Sequence, residues 1–150
     1  MANDSIIPTS ELLKMIFKTK TLNKVFSTNE KNFSLPSFSE YINKLCNDSG
    51  EVAEHIIVRA NIERTYGHKI FAGTRNPSRD VVIQLAFGFG LDVDKTQELL
   101  KIARKSLLYP RVKRDIVIIY CLHNNYSIEQ TQMYLNDLNL PILGNSNKNE

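Results

Sequence analysis

Four side chains in the stretch RTYGHKIFA could do chemistry together: Arg64, Thr65, His68 and Lys69. Their spacing places all four on one face of a helix, opposite Tyr66, Gly67 and Ile70. A guanidinium, a hydroxyl, an imidazole and an ammonium near a helix N-terminus suit base edges and phosphates in a DNA major groove. Arg64 has the strongest claim to direct readout, since Arg against a guanine edge is the commonest specific pairing. Lys69, one turn later, can reach a base or a phosphate, and Thr65 a thymine methyl or a phosphate. His68 sits nearer the rim. Arg75 and Arg79 follow as phosphate candidates. The plainer reading of every one of these residues is a solvated face.

Other chemistries find less support. His55, His68 and His123 belong to three different predicted helices without ligand spacing, so no metal is expected. Gly88-Phe89-Gly90 reads as a helix stop rather than a phosphate loop. No nucleophile motif is present. The expectation is a protein that is not an enzyme and needs no cofactor.

The candidate face has to be held by residues 51 to 79, EVAEHIIVRANIERTYGHKIFAGTRNPSR. Val52, Ile56 and Ile57 share one side of a helix over about Glu51–Ala60. Asn61 makes the turn, because Asn enters the left-handed region cheaply. Ile62 anchors it, and a second helix runs over Glu63–Ala72 with Glu63 at its positive end. Gly73 supplies a left-handed cap.

The ordered pattern Ala60-Asn61-Ile62-Glu63-Arg64-Thr65-Tyr66, Ile70, Gly73, Arg75-Asn76-Pro77-Ser78 resembles the helix-turn-helix core of the phage-repressor/Cro-like (XRE-type) DNA-binding family. The resemblance covers roughly residues 37 to 105. It implies that Arg64 to Lys69 lie on a recognition helix and that residues 73 to 78 form the loop into a fourth helix. A looser likeness spans more of the chain. Tyr66-Gly67, Ile70-Phe71, Pro77-Ser78-Arg79-Asp80, Thr96-Gln97, Leu99-Leu100-Lys101, Leu108-Tyr109, Arg114-Asp115 and Ile118 look like a set of small bacterial helix-turn-helix proteins, which implies a regulator-like origin.

The chain departs from that family at three places. Ile57 stands where a small residue is usual and Gly67 where a bulky aliphatic is, on positions that face each other. This is a volume-conserving exchange, the kind cores tolerate best, and it leaves a mid-helix glycine that costs about 1 kcal/mol. Val52 and Ala53 stand where the family carries a hydroxyl cap and a Gln that touch phosphates, so one clamp is missing. Ser49 is then expected to cap the helix earlier, lengthening it by most of a turn.

The elements around this core follow from periodicity and caps. At 150 residues with a formal charge of +3, composition is that of an ordinary globular protein. Residues 95 to 115 concentrate seven basic side chains (Lys95, Lys101, Arg104, Lys105, Arg111, Lys113, Arg114) against Glu98 and Asp115. That run is either a solvated surface or a flanking phosphate contact, and an acidic protein would fit it too. Cys46 and Cys121 lack partner spacing and read as buried free thiols in a reducing cytoplasm. No apolar signal core or bilayer-length run occurs, so a cytoplasmic protein without membrane contact is expected.

The expected class is all-α: a repressor-like five-helix core with one extra N-terminal helix and two C-terminal helices. Residues 1–36 hold an amphipathic helix from Thr9 or Ser10, expected to pack through its apolar stripe, and a linker from about 27 to 37. Residues 37–106 form the helix-turn-helix domain, with Ser37 or Ser39, Ser78 and Asp92 as caps. Residues 107–143 form a C-terminal helical pair, about 111–123 and from Ser127, serving dimerisation or extending the core. Residues 144–150 are a polar tail expected to be disordered. The functional expectation is a sequence-specific transcriptional regulator that binds double-stranded DNA as a homodimer. The alternative is a protein–protein interaction module of the same fold, adaptor or antitoxin-like, that no longer depends on DNA. In a reader Arg64 and Lys69 stand exposed and unpaired, whereas a converted module ties them to Glu63 or Asp80 or covers them with the N-terminal helix.

Overall fold

The computed structural model describes residues 8–28 and 36–144. Expectations for residues 1–7, for most of the linker and for the tail beyond Gly144 lie outside them. The described residues are helical with no strand, and the chain divides into two compact units, Met1–Pro36 and Ser37–Glu150.

In the first unit the sequence pattern suggests one helix, but the structure has two, α1 (Thr9–Lys18) and α2 (Leu22–Thr28). The break falls at Thr19, which turns extended (ψ 129°) while its hydroxyl donates to the Met15 carbonyl at 2.6 Å. That bond gives the backbone an alternative to another helical turn. Within this unit α1 buries no residue, and Leu13, Ile16 and Phe17 are exposed.

The second unit contains α3 (Phe38–Ser49), α4 (Ala53–Arg59), α5 (Arg64–Ala72), α6 (Arg79–Phe89), α7 (Val93–Ile102), α8 (Lys113–His123) and α9 (Ile128–Asp137). Hydroxyl and carboxylate caps start five of them, Glu63 among them at α5. Ser37 and Ser127 each close a reciprocal capping box, with Glu40 and Gln130, while Ser78 and Asp92 accept from Val81 and Lys95 N–H. The core gathers Ile42, Ile56, Ile70, Ile83, Leu85, Leu99, Leu100, Ile118 and Leu135, all essentially inaccessible to solvent. Cys46 and Cys121 are free and buried in the same unit, and burial pushes both thiols above their ordinary pKa.

Two local expectations are corrected. Ser49 does not cap α4. Its hydroxyl donates back to the Leu45 and Cys46 carbonyls, and the left-handed Gly50 (φ 69°) ends α3 just after it. The first residue before α4 is therefore Val52, which offers no side-chain cap. Gly88 does not help end α6, which closes only at the left-handed Gly90 (φ 68°). Gly88 is buried where α6 crosses α4, and a Cβ there would lie 2.6 Å from the Ile56 carbonyl oxygen.

The turn between α4 and α5 rests on Asn61 at φ 55°, with Ile62 N–H reaching back to the Ile57 carbonyl at 3.1 Å. The buried Gln84 amide of α6 donates to the Ala60 and Asn61 carbonyls at 3.2 and 3.3 Å, fixing the turn from behind. Asn61→Val should cost about 1–2 kcal/mol in urea unfolding, because a β-branched residue resists the left-handed region, and Asn61→Gly should cost little.

Helices α6–α7 and α8–α9 are two copies of one design, offset by 35 residues. Between 79–108 and 114–143, Arg79/Arg114, Asp80/Asp115, Val82/Val117, Ile83/Ile118, Thr96/Thr131, Gln97/Gln132, Leu100/Leu135 and Leu108/Leu143 are identical. The polar contacts repeat too. Gln97 makes two 2.8 Å bonds with the Leu108 backbone, and Gln132 does the same with Leu143. The copies are joined by exchange. Arg79 forks onto Asp115 and Arg114 onto Asp80, with N···O distances of 2.9 to 3.2 Å. Asp115 also accepts the Tyr109 N–H, and Asp80 the Gly144 N–H, at 2.9 and 3.1 Å. Swapping one copy for the other leaves this network unchanged, so the junction has local two-fold pseudosymmetry. Much of the apolar run Ile116–Leu122 joins the core of this unit, where α8 packs chiefly on α9. Ile118, Cys121 and Leu122 are buried, leaving Ile116 and Tyr120 about half exposed.

Candidate nucleic-acid interface

The α5 helix is fixed at its start by Glu63. Its carboxylate accepts from the Thr65 and Tyr66 N–H groups at 3.0 and 2.7 Å, satisfying two of the unpaired donors of the first turn. The Tyr66 bond first, then the Thr65 bond, holds the Glu63 carboxyl below the usual range. Gly67, Ile70 and Phe71 face the core, and a Cβ on Gly67 would meet the Ile57 side chain at 2.6 to 2.9 Å. Ile57 thus occupies the volume Gly67 leaves. This packing turns the opposite side of α5 to solvent.

That side carries Arg64, Thr65, His68 and Lys69, all exposed, with Arg75 exposed on the loop that follows. The Arg64 side chain is 76% exposed. It is nonetheless paired. Glu54, in the first turn of α4, receives the Arg64 Nε–H at 3.0 Å on Oε1 and 3.2 Å on Oε2. The same carboxylate takes a short contact from His68 Nε2. The His68 bond outweighs the opposing effect of burial and, with the Arg64 guanidinium, holds the Glu54 carboxyl below its ordinary range. Among the described residues Lys69 makes no ion pair. The sequence pointed to Glu63 or Asp80 as the acids able to occupy this face. Glu63 instead caps α5 and Asp80 binds Arg114, so Glu54 takes that place.

Arg79 stands apart from the other five candidates. Its guanidinium donates to the Ser106 and Leu107 carbonyls at 2.9 and 3.0 Å and forks onto Asp115, leaving one Nη1 N–H uncommitted. A phosphate would have to displace these bonds, and the buried Asp115 would lose its counter-charge. Arg79 is a brace between the two helical pairs. Arg114, counted in the basic run, is likewise withdrawn, donating to Asp80 and to the Pro141 and Ile142 carbonyls.

Glu54 escaped sequence reasoning because it lies ten and fourteen residues from its partners, across a turn, where no single helical period links them. The Arg–Asp exchange did leave a signal: two Arg-Asp pairs and two Thr-Gln pairs, each 35 residues apart.

Among the described residues no three His, Cys, Asp or Glu side chains come together as metal ligands, and no helix is long and apolar enough to cross a membrane. The chain matches no family model, no curated protein and no solved structure.

Proposed function

We propose that the chain is a sequence-specific DNA-binding regulator, acting in the cytoplasm, that lays α5 in the major groove. In this reading α3 to α7 form a repressor-like helix-turn-helix core of the phage-repressor/Cro-like type. The observation that carries it is the outward face of α5, where Arg64, Thr65, His68 and Lys69 stand together on a helix anchored from behind. Arg75 lies beyond them as a phosphate contact. A single recognition helix reads only a few base pairs, so two copies on a palindrome complete the reader. The exposed Ile116, Tyr120, Met133, Tyr134 and Leu138 of α8 and α9 are the surface for that pairing. Tyr126 and Tyr134 stack there with centroids 5.7 Å apart, and Tyr120 meets both edge-on. Light scattering behind size-exclusion chromatography should give a dimer at micromolar concentration. A clean monomer there counts against the pairing.

One observation favours the interaction module instead. Glu54 already occupies the Nε of Arg64 and one nitrogen of His68, and the Val52 and Ala53 side chains offer no donor to a phosphate. Selection from fragmented genomic DNA at two salt concentrations separates the readings. The regulator enriches a short palindromic motif that Arg64→Ala/Lys69→Ala loses. Weak, salt-sensitive recovery with no motif, equal in the variant, leaves phosphate attraction alone and favours the module.

A further inference from the structure

The ion pair on the α5 face has a geometry that bears on recognition. Glu54 engages Arg64 through Nε, which leaves the end-on edge of the planar guanidinium, one N–H from each terminal nitrogen, turned away from the carboxylate. Those are the donors that meet the O6 and N7 of guanine in a bidentate pair. Glu54 itself stands in the first turn of α4, and its Oε2, which accepts from Arg64, also contacts His68 Nε2. His68 lies four residues after Arg64, so the two donors stand one helical turn apart on the same face with Glu54 between them.

We propose that Glu54 is a specificity-determining positioning residue. By binding Arg64 through Nε it holds the guanidinium edge outward for one guanine, and its charge weakens attachment to DNA lacking that guanine. This inference rests on the regulator reading. An Arg side chain free to rotate has to be immobilised on binding, and holding it beforehand removes that cost only where the held edge finds its base. A carboxylate beside the DNA backbone opposes phosphates at every site alike. The first effect widens the gap between the right sequence and all others, while the second lowers attachment to every sequence and leaves that gap unchanged. An exposed pair such as this contributes little to folding, so its consequence lies in recognition.

Site selection with wild type, Glu54→Ala and Glu54→Gln, followed by titration on the selected site and on a scrambled duplex, tests this. Wild type should select a motif containing one guanine assigned to Arg64 by its loss in Arg64→Ala. Glu54→Ala should cut the preference for that guanine by roughly 2- to 12-fold while binding the scrambled duplex as tightly as wild type or tighter. Glu54→Gln keeps an oxygen for the Arg64 Nε and should retain part of the guanine preference, which loss of charge alone would not produce. Urea unfolding should be unchanged in both variants. An unaltered guanine preference in Glu54→Ala overturns the proposal, as does equal tightening on both duplexes, which would make Glu54 a simple competitor for Arg64. If wild type itself selects no motif, the regulator reading falls and the proposal with it, a result seen in the wild-type arm alone.

Discussion

Asp115→Ala should destabilise the Ser37–Glu150 unit by about 3–5 kcal/mol, the usual consequence of breaking a buried charge pair from one side. Asp115 is 4% exposed and accepts three hydrogen bonds, two from Arg79 and one from the Tyr109 N–H. Removing it strands the Arg79 guanidinium beside the Ser106 and Leu107 carbonyls and frees the start of the segment leading to α8. A domain of this size is stable by only about 5–15 kcal/mol, so urea midpoints should fall sharply. Arg79→Ala should lose a similar amount. The double variant Arg79→Ala/Asp115→Ala should lose clearly less than the two single losses combined, because neither charge is then left unpaired. Additive losses would mean that the pair does not act as a unit.

The symmetry-related acid gives the junction a defined pH dependence. Burial alone would raise the Asp80 carboxyl. The Arg114 guanidinium, the Gly144 N–H and, more distantly, Arg79 overcome this and hold it below its ordinary range. Its folded pKa is therefore lower than the unfolded value of about 3.9. Above that value both states are ionised and the contribution is fully present. As pH falls from there through the folded pKa, the unfolded chain binds the proton first and the contribution is lost. The slope of stability against pH below about pH 4 should accordingly be shallower in Asp80→Asn than in wild type, a comparison that urea titrations at a series of pH values would make.

How much of this could be read beforehand depends on the range of the interaction. Caps are local, and Ser37, Gly73, Ser78, Asp92 and Ser127 each identify a helix end from a few adjacent residues. The exposed side of α5 follows from helical period and the apolar residues opposite it. The sequence also marked Arg64 and Lys69 as the side chains to watch. It could not say what faces them, because Glu54 arrives from another helix across the Asn61 turn. Arg79 shows the same limit more sharply. Beside a helix N-terminus and a basic loop it reads as a phosphate contact, yet Asp115, 36 residues away, turns it inward. The apolar run in α8 invited an external partner for a related reason. Much of it is instead covered within the same unit, where α8 packs chiefly on α9 and also meets α7.

The facing pair Ile57 and Gly67 gives the second large effect. Ile57→Ala should cost about 2–5 kcal/mol, since it removes a side chain 1% exposed and leaves a void beside a residue with no side chain to collapse into it. Gly67→Leu should also be strongly destabilising. Its Cβ alone would stand 2.6 Å from an Ile57 methyl carbon, and the rest of the side chain would force α4 and α5 apart. The double variant Ile57→Ala/Gly67→Leu exchanges the two volumes and takes glycine out of a helix interior, which by itself favours α5 by about 0.5–1 kcal/mol. It should unfold within about 1.5 kcal/mol of wild type, although each single change is severe. Gly88 supplies the contrast. A Cβ there would meet the Ile56 backbone carbonyl at 2.6 Å and Ala60 at 3.0 Å, so no exchange of side chains can make room. Gly88→Ala should remain destabilised by about 1–3 kcal/mol or more when Ile56 is shortened to Val. Rescue at Gly67 and none at Gly88, measured in the same urea series, would separate a volume exchange from a requirement of the backbone crossing. If Gly67→Leu were not rescued by Ile57→Ala, the α4–α5 packing would depend on the shape of Ile57 rather than on its volume.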